Sequence, residues 1–380
     1  MKQLPLYEQI YMDIADAITG GKYKPGERIP SEKELAELYE VSRITSKKAL
    51  EMLAEEGKIV RMAGKGSFVI GHDEKETAII KTNTIYGDPG KIRLIGVVLE
   101  GFGTGFGTLL LNSIERECRR KELTMVLRCS DGSIESESRA IDDFLKLGAE
   151  GMIIMCSQDE NYNPKILQMV VEHFPVVTVD RQMKGIPVPY VGTDNIAAAK
   201  ELTKCLLDKG YRRVCFVKPD ADGTSTLQER QKGFVSAMNE FGIITDDSNW
   251  IMDLRATLPS KHFEELIGED MGKVSLHLES HPGVEAFLAA EYGIALILHK
   301  CLLEKGLDKK YPIVCFDCAD DIIGQYLFTH VKQGEAKIGQ LAVETLFEVM
   351  NGNGSSKTIM VPYQIVEREC KFPVPGTEIR

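Results

Sequence analysis

Arg43, Thr45, Lys47 and Lys48 fall in one short run, Val41-Ser-Arg-Ile-Thr-Ser-Lys-Lys-Ala-Leu50. Cations and a hydroxyl gathered at the first turns of a helix can donate to phosphate oxygens and to base edges, the chemistry of a recognition helix in the DNA major groove. Lys33 lies upstream, and Arg61, Lys65 and Gly66 surround a second cationic point at Gly64-Lys65-Gly66. A glycine tip lets backbone approach a phosphate or a minor-groove floor, and Arg61 and Lys65 add charge there.

Other residues carry competing chemistries that the spacing disfavours. Cys315-Phe-Asp-Cys318 has redox spacing, but no second pair accompanies it. His277 and His281 flank Glu279 without an evident third ligand, and Pro282 marks a helix end, so solvated histidines are expected. Gly101-Phe-Gly-Thr-Gly-Phe-Gly107 follows a strand and raises a dehydrogenase, yet glycine recurs every second residue, unlike Gly-x-Gly-x-x-Gly. A Walker Lys-Ser/Thr ending is also missing. No cofactor, metal or catalytic residue is expected.

The elements that must position the cations are legible upstream and downstream of them. Ser31 with Glu34 is a capping box that opens a helix with Leu35, Ala36 and Leu38 on its buried face. Ser42 caps the next helix, whose apolar residues are Ile44, Ala49, Leu50 and Leu53. Leu6, Ile10, Ile14 and Ile18 form one stripe of a first helix that stops at Gly20-Gly21. Ile59–Met62 and Ser67–Ile70, joined by the glycine turn, read as a two-stranded wing.

Charge separates this head from the rest. Residues 1–71 hold eight Lys and three Arg against eleven Asp and Glu, whereas the chain carries −11. The net acidity therefore lies elsewhere, and weak nonspecific DNA binding with a strong salt dependence is expected. With 380 residues, 43% of them hydrophobic, more than one domain is required. Residues 72–91 mix charges, Thr, Gly and Pro without a period and read as a linker. No apolar run is long enough for a membrane span and no signal-peptide core precedes the first helix, so no membrane partner and a cytoplasmic location are expected. Scattered cysteines, odd in number, fit reduced buried thiols.

From residue 92 the chain alternates β-branched runs with helical segments: Ile92–Leu99, Thr124–Cys129, Gly151–Met155 and Val176–Val179, each followed by a helical pattern. The alternation restarts after Gly192 with Val214–Val217 and Ile313–Phe316, and closes with a helix at about 335–351 and a strand at Ile359–Val366. This is α/β construction with parallel sheets in two lobes in series. Ligands of such sheets bind beyond the carboxyl ends of the strands, and two facing lobes make a closable cleft.

The head resembles the GntR family of bacterial winged-helix repressors in Pro5-Leu-Tyr-Glu-Gln9, Pro25-Gly26, Pro30-Ser-Glu-Lys-Glu-Leu-Ala36, Val41-Ser-Arg-Ile-Thr45, Ala49-Leu50, Gly57 and Gly64-Lys-Gly-Ser-Phe-Val69. That resemblance implies a winged helix-turn-helix over 1–71, with Lys33, Arg43, Thr45 and Lys47 on double-stranded operator DNA. Lys33 and Lys47 stand where the family usually has Arg, and Ser46 where it has a small apolar residue. A lysine is a point charge and not a flat fork, which favours phosphate contact at those two positions and leaves Arg43 as the base reader.

Residues 92–370 resemble the LacI-family effector domain, itself similar to periplasmic sugar-binding proteins. The matching words are Ile95-Gly96-Val97, Gly151-Met-Ile-Ile154, Val179-Asp180-Arg181, Val191-Gly-Thr-Asp-Asn195, Gly210-Tyr-Arg-Arg-Val214, Arg230-Gln-Lys-Gly-Phe234, Phe316-Asp317 and Thr329-His-Val-Lys-Gln333. The match is weakest at 245–290. It implies an effector domain over 92–380, its first lobe about 92–191 and 335–352, its second about 192–331 and 353–370. Carried over by position, Glu100, Thr104, Phe106, Asp180, Arg181, Arg230, Glu291, Asp317 and Gln333 line the ligand site, and Phe102 joins the first-lobe wall. Ala290-Glu291 replaces the family's usual Asn-Asp, which lengthens the acid and removes an amide.

A GntR head on a LacI-type body is the architecture of the arabinose-repressor family. The resemblance implies a homodimeric, sugar-responsive transcription repressor released by a small carbohydrate such as L-arabinose, and not an enzyme. The alternatives are a regulator of a nonsugar metabolite and an NAD(P)-dependent sugar dehydrogenase.

Overall fold

Ser31 and Glu34 satisfy each other across the first turn of a helix: the Glu34 N–H donates to Ser31 Oγ at 3.3 Å and the Ser31 N–H to Glu34 Oε2 at 2.7 Å. The computed structural model of the chain describes residues 5–24, 26–62, 66–69, 92–103, 105–157, 162–259, 263–319, 326–353 and 356–368. The chain divides into two units, Met1–Gly90 and Lys91–Arg380.

The first unit holds helices α1 (Leu6–Thr19), α2 (Glu32–Leu38) and α3 (Arg43–Glu55) and strands β1 (Arg28–Ile29), β2 (Ile59–Met62) and β3 (Gly66–Val69). The strands form an antiparallel sheet in the order β1-β3-β2, with Ile59 opposite Val69 and Met62 opposite Gly66. Ile10, Ile14, Leu35, Ala49, Leu50, Leu53, Ile29, Ile59 and Val69 make one core. Three expected core residues differ: Leu6 is 54%, Leu38 69% and Ile44 80% exposed. Ser46 occupies the buried position on α3 instead, its hydroxyl donating to Glu32 O at 2.8 Å and Arg43 O at 3.1 Å. The two bonds satisfy the buried hydroxyl, and the one to Glu32 fixes the rotation of α3 against α2. Residues 63–65 and 70–91, with the wing tip and the linker, lie outside the described residues.

The second unit is two lobes of one plan. The first sheet contains β4 (Arg93–Leu99), β5 (Leu123–Cys129), β6 (Gly151–Ile154), β7 (Val176–Val179), β8 (Tyr190–Thr193) and β14 (Thr358–Val361), ordered β14-β8-β7-β6-β4-β5 and parallel throughout. The second contains β9 (Val214–Pro219), β10 (Ile251–Leu254), β11 (Ala286–Ala289), β12 (Ile313–Phe316), β13 (Thr329–Lys332) and β15 (Gln364–Val366), ordered β10-β9-β11-β12-β13-β15, antiparallel only at β15. In both, the first strand of the lobe lies between the second and the third, the switch point at which such sheets open a crevice.

Helices cover both faces because the strands are apolar on both. In the first lobe these are α4 (Thr108–Arg120), α5 (Ile134–Lys146), α6 (Pro164–Val171) and α11 (Glu335–Met350); in the second, α7 (Asn195–Leu207), α8 (Ser225–Glu240), α9 (Phe263–Ser280) and α10 (Tyr292–Glu304). Ile95, Val97 and Leu99 pack on Leu110, Ile114, Ile338 and Leu346, while Val98 faces Ile141, Phe144 and Ile166. Gly233 lets α8 lie directly on α7: a Cβ there would sit 2.3 Å from Ile196 O.

The terminal strand expected over Ile359–Val366 is two strands in different sheets. Thr358–Val361 runs parallel to Tyr190–Thr193 in the first lobe, and Gln364–Val366 pairs with β13 in the second. Pro362 between them has no N–H to continue a ladder. Residues 358–361 therefore join the first lobe and not the second. Residues 251–289, where the sequence match is weakest, supply β10, α9 and β11.

Candidate functional site

In the head, Arg43 is the first residue of α3 and is exposed. Among the described residues its guanidinium has no ion-pair or hydrogen-bond partner. Ser42 caps the helix, accepting the Thr45 N–H at 3.3 Å, and its Oγ lies 2.9 Å from Thr45 Oγ1. The remaining cations are already engaged. Lys47 Nζ is 3.7 Å from Glu51 and Lys33 Nζ 3.8 Å from Glu37. Arg61 pairs with Glu32 and reaches Glu51 at 3.6 Å. Lys48 stands apart from the others: its ammonium sits 3.9 Å from the centroid of the Tyr7 ring on α1. Exposed pairs of this kind contribute little and exchange readily for phosphate oxygens. Gly66 has φ +117°, and a Cβ there would meet Arg28 Nε at 2.9 Å, so backbone geometry as well as bulk calls for glycine. Lys65 lies outside the described residues.

In the body, a cavity of about 360 Å3 opens between the lobes. Its wall is made of residues that follow strand ends. Glu100 follows β4, Asp131 follows β5, Met155 follows β6, and Asp180 with Arg181 follows β7; Thr257 comes after β10, Glu291 after β11 and Asp317 after β12. Arg230, from the first turns of α8, enters from the second lobe. Phe102 and Phe106 add aromatic surface.

Two aspartates hold matching places. Asp180 and Asp317 have φ +60° and +61°, the left-handed region that Asp tolerates better than most residues. Each donates its N–H across to the next strand, to Val191 O at 3.1 Å and to Val331 O at 2.9 Å. Each is 7% exposed. Burial raises both carboxyls, Asp317 to about 7, and it raises Glu291 as well. Arg230 opposes the rise at all three. Gln333 Nε2 donates to both oxygens of Asp317, at 3.1 and 3.0 Å.

The two arginines are held from behind. Arg230 Nε donates to Asn195 Oδ1 at 2.9 Å and Nη1 to Ala290 O at 2.7 Å, with the guanidinium 4.0 Å from the Phe316 ring centroid. Arg181 pairs with Glu100, and Nη1 donates to Cys156 O at 3.4 Å. Burial would lower the Arg181 pKa, but its neighbours, Glu100 foremost and then Asp180, together raise it. Arg181 Nε is buried without a protein partner. A buried donor left unmade costs about 1–3 kcal/mol, so the cleft has polar capacity that a hydroxyl-bearing ligand would use.

Glu100, Phe106, Asp180, Arg181, Arg230, Glu291 and Asp317 thus share one cavity. Gln333 lines an adjoining cavity of about 500 Å3 that shares Phe102, Phe106 and Asp317 with it. Thr104 lies outside the described residues. Asp131, Thr224, Thr226 and Thr257 also face the cleft and escape the sequence reading. Asp131 had a local signal, since Asp131-Gly132 follows a strand and both take positive φ; Thr257 had none.

The other chemistries resolve differently. His277 is buried inside α9, not solvated: its Nε2 lies 3.6 Å from Cys215 Sγ and its ring stacks on His281 at 4.2 Å. Among the described residues no three His, Cys, Asp or Glu groups are arranged to hold a metal. Cys315 Sγ donates to Asp317 O at 3.1 Å, and both Cys315 and Cys318 are free thiols. No helix among the described residues is long and apolar enough to cross a membrane.

A winged helix-turn-helix head and a two-lobed body with a polar cleft at the strand ends define a ligand-responsive DNA-binding transcription regulator. The chain belongs to the family of periplasmic binding proteins and the sugar binding domain of the LacI family, matched over residues 93–362, and its head matches the bacterial regulatory proteins of the gntR family over residues 6–69. An arabinose metabolism transcriptional repressor of Geobacillus stearothermophilus is 27% identical, covering 97% of this chain and 99% of the relative. A putative ribose operon repressor of Burkholderia thailandensis shares the fold with a TM-score of 0.62 at 21% identity, over 73% of this chain and 99% of that one. The regulator CelR in complex with cellobiose shares it at 0.62 and 17% identity, over 90% and 99%. Membership of these families makes the chain a regulator and not an enzyme, and removes the dehydrogenase alternative. The glycine run that raised it contributes Gly101 and Gly103 to the cleft wall and Gly107, at φ +99°, to the start of α4.

Proposed function

We propose that the protein is a cytoplasmic repressor that holds operator DNA as a homodimer and releases it on binding a small neutral carbohydrate such as L-arabinose. Residues 1–71 form the DNA-binding head, 72–91 the linker and 92–380 the effector body. Arg43 and Thr45 address bases; Lys33, Lys47, Arg61, Lys65 and the Gly66 backbone address phosphates. The observation that carries the sugar reading is Arg230 set among three acids from both lobes, Asp180, Glu291 and Asp317, whose carboxyls burial has raised. Carboxylates accept from vicinal hydroxyls, and an arginine donates to several ligand oxygens at once. Phe102 and Phe106 offer apolar faces for the ring carbons. The name of the Geobacillus relative, a repressor of arabinose metabolism, points to the same class of ligand.

Because acids and cations come from both lobes, a bound sugar favours the closed pair of lobes over the open one. By linkage, a sugar that prefers the DNA-free form weakens operator binding, and DNA weakens sugar binding by the same factor. Calorimetric titration of the full chain with pentoses, hexoses and their acids tests this. A saturable heat for one sugar, lost in Arg230→Ala, is the expected result. Silence across the panel refutes the sugar reading, turns attention to a nonsugar metabolite and leaves the DNA-binding reading intact.

A further inference from the structure

We propose that Ile44 is a specificity-determining residue of the operator interface, reading the 5-methyl group of a thymine beside the base pair taken by Arg43. The inference deepens the reading of α3 as the helix that enters DNA, and rests on it.

The sequence pattern places Ile44 in the core, and the structure turns it out. Ser46, Ala49, Leu50 and Leu53 are the buried residues of α3. Ile44 precedes Ser46 by two positions, about half a helical turn, and so lies opposite the buried face. The bond from Ser46 Oγ to Glu32 O ties α3 to α2 in this rotation, so Ile44 cannot roll inward without breaking that bond and bringing Ser46 out of the core. The side chain is 80% exposed.

A lone exposed apolar residue needs no explanation by itself. The neighbours and the place of this one supply one. Ile44 sits in the first turn, between Arg43, whose guanidinium is exposed and without a partner among the described residues, and Thr45, whose hydroxyl lies against the cap. Polar residues of such a turn find acceptors and donors on base edges. The thymine methyl is the apolar feature of the major groove, and a branched aliphatic side chain is its natural complement. Lys47, Lys48 and Glu51 on the same outward face are charged, so Ile44 is the residue of this face suited to a methyl.

The test uses full-length protein and the duplex it enriches from a randomised library. Each thymine of that duplex is replaced in turn by deoxyuridine, which removes the methyl and keeps the pairing. At one thymine adjoining the guanine required by Arg43, the change should weaken wild-type binding by roughly three- to tenfold, the effect of burying a methyl-sized apolar surface. Ile44→Ala, with an unchanged melting temperature, should bind both duplexes equally. The inference is overturned if no such replacement weakens the wild type, or if the penalty persists in Ile44→Ala. If no duplex is enriched, the DNA-binding reading itself fails, and this inference falls for that reason.

Discussion

The cationic face of the head and the interlobe cleft handle charge in opposite ways. On the head, Lys33, Lys47 and Arg61 rest on nearby glutamates at the surface, where water screens the pairs. In the cleft, Arg181, Arg230, Asp180 and Asp317 are each at most 9% exposed, and hydrogen bonds with residues distant in sequence fix Arg181, Arg230 and Asp317. Exposed pairs can be exchanged for a long polyanion at small cost, so affinity accumulates from many replaceable contacts. Buried charges are fixed in advance, so a small ligand meets a rigid, partly unsatisfied frame, and each group is decisive.

The sharpest break of that contrast is Arg230→Ala. Removing one partner from a buried charge set typically costs about 3–5 kcal/mol, and sugar affinity should fall by more than a hundredfold in calorimetry, with operator binding intact and no longer released by sugar. Equal loss of both functions in a folded variant would refute the two-part account. Arg43→Ala is the mirror experiment: operator affinity, followed by fluorescence anisotropy, should fall roughly ten- to hundredfold, while sugar affinity stays the same.

Asp317 makes the cleft sensitive to pH in a way the head is not. Burial raises its carboxyl to about 7, and a sugar hydroxyl needs the ionised form as acceptor. Sugar affinity should therefore decline as pH falls below about 7, by up to roughly tenfold per pH unit, and Asp317→Asn should flatten the profile at a lower plateau. Stability runs the other way. A carboxyl raised on folding contributes stability in acid, below its unfolded value, and loses it as pH rises through about 7. Asp317→Asn should accordingly raise the melting temperature relative to wild type more at pH 8 than at pH 5. The smallest effect belongs to the exposed pairs: Lys47→Ala should weaken binding a few-fold on every DNA sequence and reduce the salt slope by about one. A sequence-selective loss there would mean that Lys47 reads a base.

Much of the site was legible before any coordinates, and the exceptions share a cause. Arg230, Asp180, Asp317 and Glu291 stand at strand ends or in a helix beside them, positions that the resemblance to the LacI-type effector domain carries over. Thr257 was invisible because it follows β10, in a stretch without a recognisable word. The Lys48 ammonium rests on Tyr7 of another helix, a contact that no local spacing shows. Ile44, expected in the core, is outside it, and Ser46 is buried, its hydroxyl bound to a carbonyl of α2.

The sequence alone determined what depends on a few adjacent residues: the Ser31–Glu34 and Ser42 caps and the alternation of strands and helices. Tertiary structure alone decided how α3 is rotated, which cations rest on which acids, how Thr358–Val361 and Gln364–Val366 part into two sheets, and that burial lifts Asp317 beside Arg230. Local hydrogen bonds and backbone preferences act over a single turn, and a short segment encodes them. Burial, ion pairing and desolvation depend on groups tens or hundreds of residues away, which only the folded chain brings within reach.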